Sequence, residues 1–168
     1  EGVDFRGQKV TLLGTGGAGI AILVQLALDG AREVAVFERA SSRFHDRTAR
    51  VVAELNERTH CHVTVYDYED AVMQQQIAES CLLINATNVG MAPNTYACII
   101  PDPSWLTKRA AAPLVVADVI YNPRKTKLLE MAEACGLKSF NGINMLLYQG
   151  AAAFELWTGE KMPTEKIK

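Results

Sequence analysis

Long apolar runs are missing from this sequence. No stretch of about 18 uninterrupted apolar residues occurs, so no membrane-spanning helix is expected. Aromatic residues are sparse at 7%, and no long run of Lys and Arg exists. With 17 Lys and Arg against 19 Asp and Glu, the net charge of -2 carries no electrostatic signature of a nucleic-acid partner. Cysteine is also scarce: Cys61, Cys81, Cys98 and Cys135 are widely scattered, with no CxxC pair and no metal-ligand spacing. No metal is therefore expected, and the thiols read as reduced groups in a cytoplasmic protein. His45, His60 and His62 have no partner pattern for metal binding or catalysis and read as surface or helix-end residues. The opening residues EGVDFRGQ lack a signal-peptide pattern. What remains is a chain of 168 residues, 49% hydrophobic and 21% charged, which suits one globular domain with a substantial core.

The most informative stretch is KVTLLGTGGAGIAILVQLALD, from Lys9 to Asp29. Val10–Leu13 reads as a buried strand, Gly14, Gly16 and Gly19 occupy the G-x-G-x-x-G positions, and Ile20–Leu28 continues with helical periodicity. Each glycine has a physical task. The first permits a tight strand-to-helix turn, the second lets backbone approach a pyrophosphate, and the third lets helix and strand pack closely. The phosphate would sit at the helix N-terminus, against unpaired N–H groups. Gly30 is a natural stop for that helix.

Apolar strands alternate with helical segments along the rest of the chain. Strands are predicted at 33–37, 62–66 (near a sheet edge), 82–85, 114–118 and 138–141. Helices are predicted from a Ser41 or Ser42 cap to about Thr59, buried through Phe44, Val51, Val52 and Leu55, and at 71–80, 127–135 and 144–158. Phe154, Leu156 and Trp157 read as packing residues of the last helix. Residues 87–103 are rich in Gly and Pro and read as loop. Six strands in this order predict an α/β, doubly wound parallel sheet of Rossmann type in a single domain, with ligand at the carboxyl ends of the strands.

The residue after the second strand ordinarily separates NAD from NADP. A carboxylate there accepts hydrogen bonds from the ribose hydroxyls, whereas arginine accommodates a 2′-phosphate. This chain offers both signals: Glu38 at the expected position, and Arg39 and Arg43 beyond it with Ser41 and Ser42 between. A charged Glu38 would repel a phosphate unless it turns away or pairs with an arginine. The cofactor is thus NADP or NAD, or both.

Three further segments extend the pattern: NATNVGM at 85–91, DVIYNPRKTK at 118–127 and NGINMLLYQGAAAFELWTG at 141–159. With GTGGAG they resemble the cofactor domain of the shikimate dehydrogenase family, including its quinate/shikimate branch, over nearly the whole chain. The resemblance implies reversible hydride transfer between NAD(P)H and 3-dehydroshikimate, in aromatic amino-acid biosynthesis. It assigns Gly14, Thr15, Gly16, Gly17 and Ala18 to the pyrophosphate loop, and Glu38, Arg39 and Arg43 to the adenosine end. There the NADP pattern is Asn-Arg-Thr-x-x-Arg, so Glu38 and Ala40 depart from it. It places Ala86, Thr87 and Asn88 beside the cofactor, Val119, Gly142 and Met145 around the nicotinamide, and Tyr121 and Gln149 on the substrate, shikimate or quinate.

Family members carry their catalytic Lys and Asp on a substrate domain that precedes the glycine-rich loop. Only nine residues precede the first predicted strand, so no catalytic residue is expected within residues 1–168. By itself the chain is expected to bind dinucleotide with negligible turnover. The oligomeric state stays open, a homodimer of the intact enzyme included. The alternative class is a stand-alone, non-catalytic dinucleotide-binding or sensing module, which would have no use for Tyr121 and Gln149. A methyltransferase with the same turn does not fit NATNVGM or the closing helix.

Overall fold

A computed structural model describes residues 2–107 and 113–167. Six strands, β1 (Lys9–Leu13), β2 (Glu33–Phe37), β3 (His62–Tyr66), β4 (Leu82–Asn85), β5 (Val115–Asp118) and β6 (Lys138–Phe140), form one sheet. Their order is β3-β2-β1-β4-β5-β6, all parallel. The expected doubly wound α/β sheet is thus present, with β3 at an edge as its alternating pattern required. Helices α1 (Gly17–Leu28), α2 (His45–Arg58), α3 (Asp70–Glu79), α4 (Ser104–Thr107), α5 (Lys127–Ala134) and α6 (Ile143–Thr158) connect and follow the strands.

The two-residue period of the strands sorts the core into two layers. Val10, Leu12, Val34, Val36, Leu82 and Ile84 face α1 and α2, joining Leu23, Leu26 and Leu55. Leu13, Ala35, Phe37, Leu83 and Val116 face the other way, joining Met73, Ile77, Leu106, Leu128 and Leu129 of α3, α4 and α5. Phe37 also stacks on Tyr66 of the edge strand, 5.5 Å between ring centroids. Gly30, Gly136 and Gly159 follow α1, α5 and α6 with positive φ, which is why those helices stop where they do.

Two expectations need correction. α2 is not capped by Ser41 or Ser42: it starts at His45, with Phe44 in the capping position. The Ser42 hydroxyl accepts from the Phe44 amide at 3.1 Å instead, using its capping capacity in the preceding turn. Secondly, α6 buries none of its residues. Leu156 and Trp157 are 85% and 84% exposed and Phe154 is marginally exposed, so these three are not packing residues. Of α6, the end at Gly142 is the part tied to the sheet, through its amide to the Ile120 carbonyl at 3.2 Å. The distal turns meet the C-terminal 3-10 turn, Thr164–Lys166.

Candidate functional site

The strand order reverses between β1 and β4, and the loops leaving those strands diverge to opposite sides of the sheet. A cleft of about 810 Å³ opens there. Its floor is the turn from β1 into α1. Gly14 adopts φ +95, and a side chain on it would meet Thr87 Cγ2 at 2.8 Å and the Ala86 carbonyl oxygen at 3.0 Å. A Cβ on Gly19 would lie 2.1 Å from the Gly14 carbonyl oxygen, so helix and turn touch backbone to backbone. Gly16 and Gly17, by contrast, have nothing within 4 Å of a would-be Cβ. The first turn of α1 is capped by no side chain. Its unpaired amides therefore open onto empty space at the positive end of a 12-residue helix, the geometry that receives an anion. Thr15 and Ala18 line the same floor.

At one end of the cleft Glu38 leaves β2 almost wholly buried. Its Oε1 accepts from the hydroxyls of Thr15 and, at 3.1 Å, Thr48. Its Oε2 is buried and has no hydrogen-bond partner; His45 Nδ1 stands 3.6 Å away. Arg39 lines the cleft beside it, with Ser41, Ser42 and Phe44. Arg43 does not line it. Its guanidinium lies over the Phe44 ring, 4.7 Å from the centroid, and Arg47 shares that ring at 4.6 Å. Arg47 was not legible as a site residue, yet it donates to the Thr15 carbonyl and so ties α2 to the glycine-rich turn.

The opposite wall is made by the loops after β4 and β5, where Ala86, Thr87, Asn88, Val119 and Tyr121 line the cleft. Two strand-end residues hold these loops together. Asn85 Nδ2 donates to Asp118 Oδ1 at 3.1 Å, while Asn85 Oδ1 accepts from the Thr87 amide and hydroxyl at 3.1 and 2.7 Å. Asp118 further accepts from the Ile120 amide at 3.1 Å and the Thr126 hydroxyl at 2.7 Å. Burial pushes the Asp118 carboxyl above the usual value of 3.8, and its hydrogen bonds from Thr126, Ile120 and Asn85 offset this only in part. Thr126 closes the network by capping α5, accepting from the Leu129 amide at 3.4 Å.

Gly142 is buried behind Val119, and a Cβ there would fall 1.9 Å from the Val119 carbonyl oxygen. Met145 and Gln149 follow on α6, outside the cleft lining; Gln149 Nε2 donates to the Leu146 carbonyl within its own helix. The structure therefore brings together every expected site residue except Arg43, Gly142, Met145 and Gln149. Gly142 remains adjacent through Val119. His60 and His62 lie exposed on the surface, and no cluster of metal-ligating residues exists among the described residues. No helix among them is long and apolar enough to cross a membrane.

Comparison with known proteins agrees with this geometry. The family model for the shikimate 5′-dehydrogenase C-terminal domain matches residues 142–168. A shikimate dehydrogenase (NADP(+)) of Listeria innocua is 42% identical over 168 residues, covering 99% of this chain and 56% of the relative. One of Streptococcus uberis is 45% identical over 170 residues, covering 100% and 56%. The crystal structure of shikimate 5-dehydrogenase from Listeria monocytogenes, in complex with shikimate and NAD, superposes with a TM-score of 0.88 at 40% identity, covering 99% of this chain and 56% of that one. The chain thus spans just over half the length of these relatives. Over nearly its whole length the chain is thus similar to just over half of a shikimate dehydrogenase, with the C-terminal domain model of that family matching its last segment.

Proposed function

We propose that residues 1–168 form the dinucleotide-binding domain of a two-domain shikimate or quinate/shikimate dehydrogenase, with the substrate domain and its catalytic Lys and Asp on a separate stretch of chain. The observation that carries this reading is the pair of bare glycines, Gly16 and Gly17, opening uncapped helix amides onto the cleft floor beside a buried carboxylate oxygen that lacks a donor. A diphosphate and a ribose hydroxyl are the complementary groups. When bound, NAD or NADP supplies or accepts the hydride exchanged with the carbon of 3-dehydroshikimate or shikimate that bears the oxygen.

This chain's residues bind and orient. Gly14, Thr15, Gly16, Gly17 and Ala18 hold the diphosphate, Glu38 and Arg39 the adenosine end, and Ala86, Thr87, Asn88 and Val119 the nicotinamide side. Gly142 and Met145 support that side from the start of α6. Tyr121, 46% exposed at the cleft rim, would donate its phenol hydroxyl to substrate. Gln149 would join it from α6 once substrate and the partner domain are seated. Thiols free of disulfides suit a cytoplasmic enzyme of aromatic amino-acid biosynthesis. A stand-alone sensing module is not favoured, because Tyr121 at the rim and the NATNVGM loop exceed what dinucleotide binding needs.

The test is to assay the chain alone and joined to a substrate domain for shikimate- and quinate-dependent reduction of NAD and NADP. Turnover by the joined form and none by the chain alone is expected. Absence of turnover with either acid by the joined form overturns the reading.

A further inference from the structure

We propose that the adenosine end of the cleft selects NAD over NADP, and that Thr15 and Thr48 are the positioning residues that enforce the choice. The inference rests on the dinucleotide reading of the cleft and adds which dinucleotide it takes. The relatives from Listeria innocua and Streptococcus uberis carry NADP(+) in their names, so this is a point on which the chain parts from them.

Glu38 could admit a 2′-phosphate in only two ways: by swinging out of the cleft, or by pairing with an arginine. The structure closes both. The side chain is about 3% exposed and is held by two hydroxyl donors on one oxygen, Thr15 from the glycine-rich turn and Thr48 from α2. Thr48 is itself buried, and its one hydroxyl proton is shared between Glu38 Oε1 and the Phe44 carbonyl oxygen, each 3.1 Å from Oγ1, so the clamp does not follow the carboxylate outward. Among the described residues no arginine forms an ion pair with Glu38. Arg43 and Arg47 are spent on the Phe44 ring, and Arg47 is also bonded to the Thr15 carbonyl.

The remaining oxygen, Oε2, is buried without a donor, and His45 Nδ1 at 3.6 Å is beyond hydrogen-bond reach. A ribose diol brings hydroxyl donors and no charge to this end of the cleft. A 2′-phosphate brings only acceptors and negative charge to a carboxylate that cannot move. Arg39 lines the cleft and is exposed, so its attraction for a phosphate is screened by water, whereas the repulsion from Glu38 acts from a buried group. Repulsion wins.

The experiment is calorimetric titration of the chain with NAD and with NADP at one ionic strength. NAD is expected to bind at least about tenfold tighter, a difference of about 1.4 kcal/mol. Glu38→Gln keeps the shape and removes the charge, and should bring the two affinities within about threefold, chiefly by tightening NADP. Thr48→Val should narrow the ratio as well, while Thr48→Ser, which keeps the hydroxyl, should preserve it. A merely structural role for Thr48 would weaken both ligands together and leave the ratio unchanged, which overturns its part in the clamp. Equal or tighter binding of NADP by the unaltered chain overturns the proposal, whether or not the variants fold. Failure of both dinucleotides to bind overturns the reading of the cleft beneath it.

Discussion

Asp118 holds the far wall of the cleft, and its removal should be costly in a way its neutralisation is not. In Asp118→Ala three donors lose their acceptor in a buried site: the Ile120 amide, the Thr126 hydroxyl and Asn85 Nδ2. Each buried unpaired donor costs about 1–3 kcal/mol, and Asn85 retains a longer bond to the Val89 carbonyl at 3.3 Å, so a loss of about 3 kcal/mol is expected. Asp118→Asn keeps Oδ1 for Ile120 and Asn85, and its new amide can face Thr126 Oγ1 once that hydroxyl turns. One bond is weakened and one buried charge disappears, so the variant should stay within about 1 kcal/mol of the parent.

The pH dependence gives a second check on the same residue. Burial raises the folded carboxyl above 3.8, so the folded chain holds this proton more tightly than the unfolded chain does. The stabilisation from this group is therefore complete below pH 3.8 and is lost as pH rises through the folded value. Relative to Asp118→Asn, the parent should gain stability as pH is lowered from neutrality. Urea midpoints at constant m-value, taken across that range, measure both effects. An alanine variant within about 1 kcal/mol of the parent would refute the reasoning, because it would mean the three donors find water or other acceptors.

Other variants probe other parts of the architecture. Gly19→Ala puts a Cβ 2.1 Å from the Gly14 carbonyl oxygen, and a drop of about 2–3 kcal/mol, visible as a lower Tm, should accompany loss of dinucleotide binding. Arg47→Ala frees the Thr15 carbonyl, and calorimetry should show both dinucleotides weakened by about tenfold, with adenosine, which has no diphosphate, little changed. Lys9 is buried between Glu33 at 2.8 Å and Glu79 at 2.7 Å. Burial lowers its basicity, but the two hydrogen-bonded carboxylates outweigh that and leave it above 10.5. Its stabilisation is therefore present below pH 10.5 and lost as pH rises through the folded value. Melting curves should show that alkaline loss diminished in Lys9→Met.

Much of this fold can be read from local pattern. Glu33–Phe37, His62–Tyr66 and Leu82–Asn85 are short β-rich runs bounded by breakers, and their limits as strands agree with the structure. The glycines of the turn are similarly legible, Gly14 and Gly19 because a side chain there would clash, Gly16 and Gly17 because a bare backbone leaves the helix end open. What escapes the sequence depends on partners distant along the chain. Serine at 41 and 42 has the chemistry of a helix cap, but the chain makes a turn first and the helix starts later. The capping preference of Phe44 is poor, so no residue type announces the true start. Glu38 announces a ribose contact, but its burial and its fixation by Thr15 and Thr48 require knowing that α2 leans on the turn. Arg47 reads as an ordinary helix-surface charge for the same reason. Phe154, Leu156 and Trp157 have the composition of a packed face, and hydrophobicity alone does not say whether a helix meets its cover within 168 residues.

The bond between Asn85 and Asp118 has a dynamic consequence. The segments following β4 and β5 hang from a common joint, so neither can open as an independent flap. A guest touching one side is felt on the other, and the gap between them stays constant as it arrives. Capture should therefore proceed at the pace of diffusion, without a slow rearrangement of that side of the cleft.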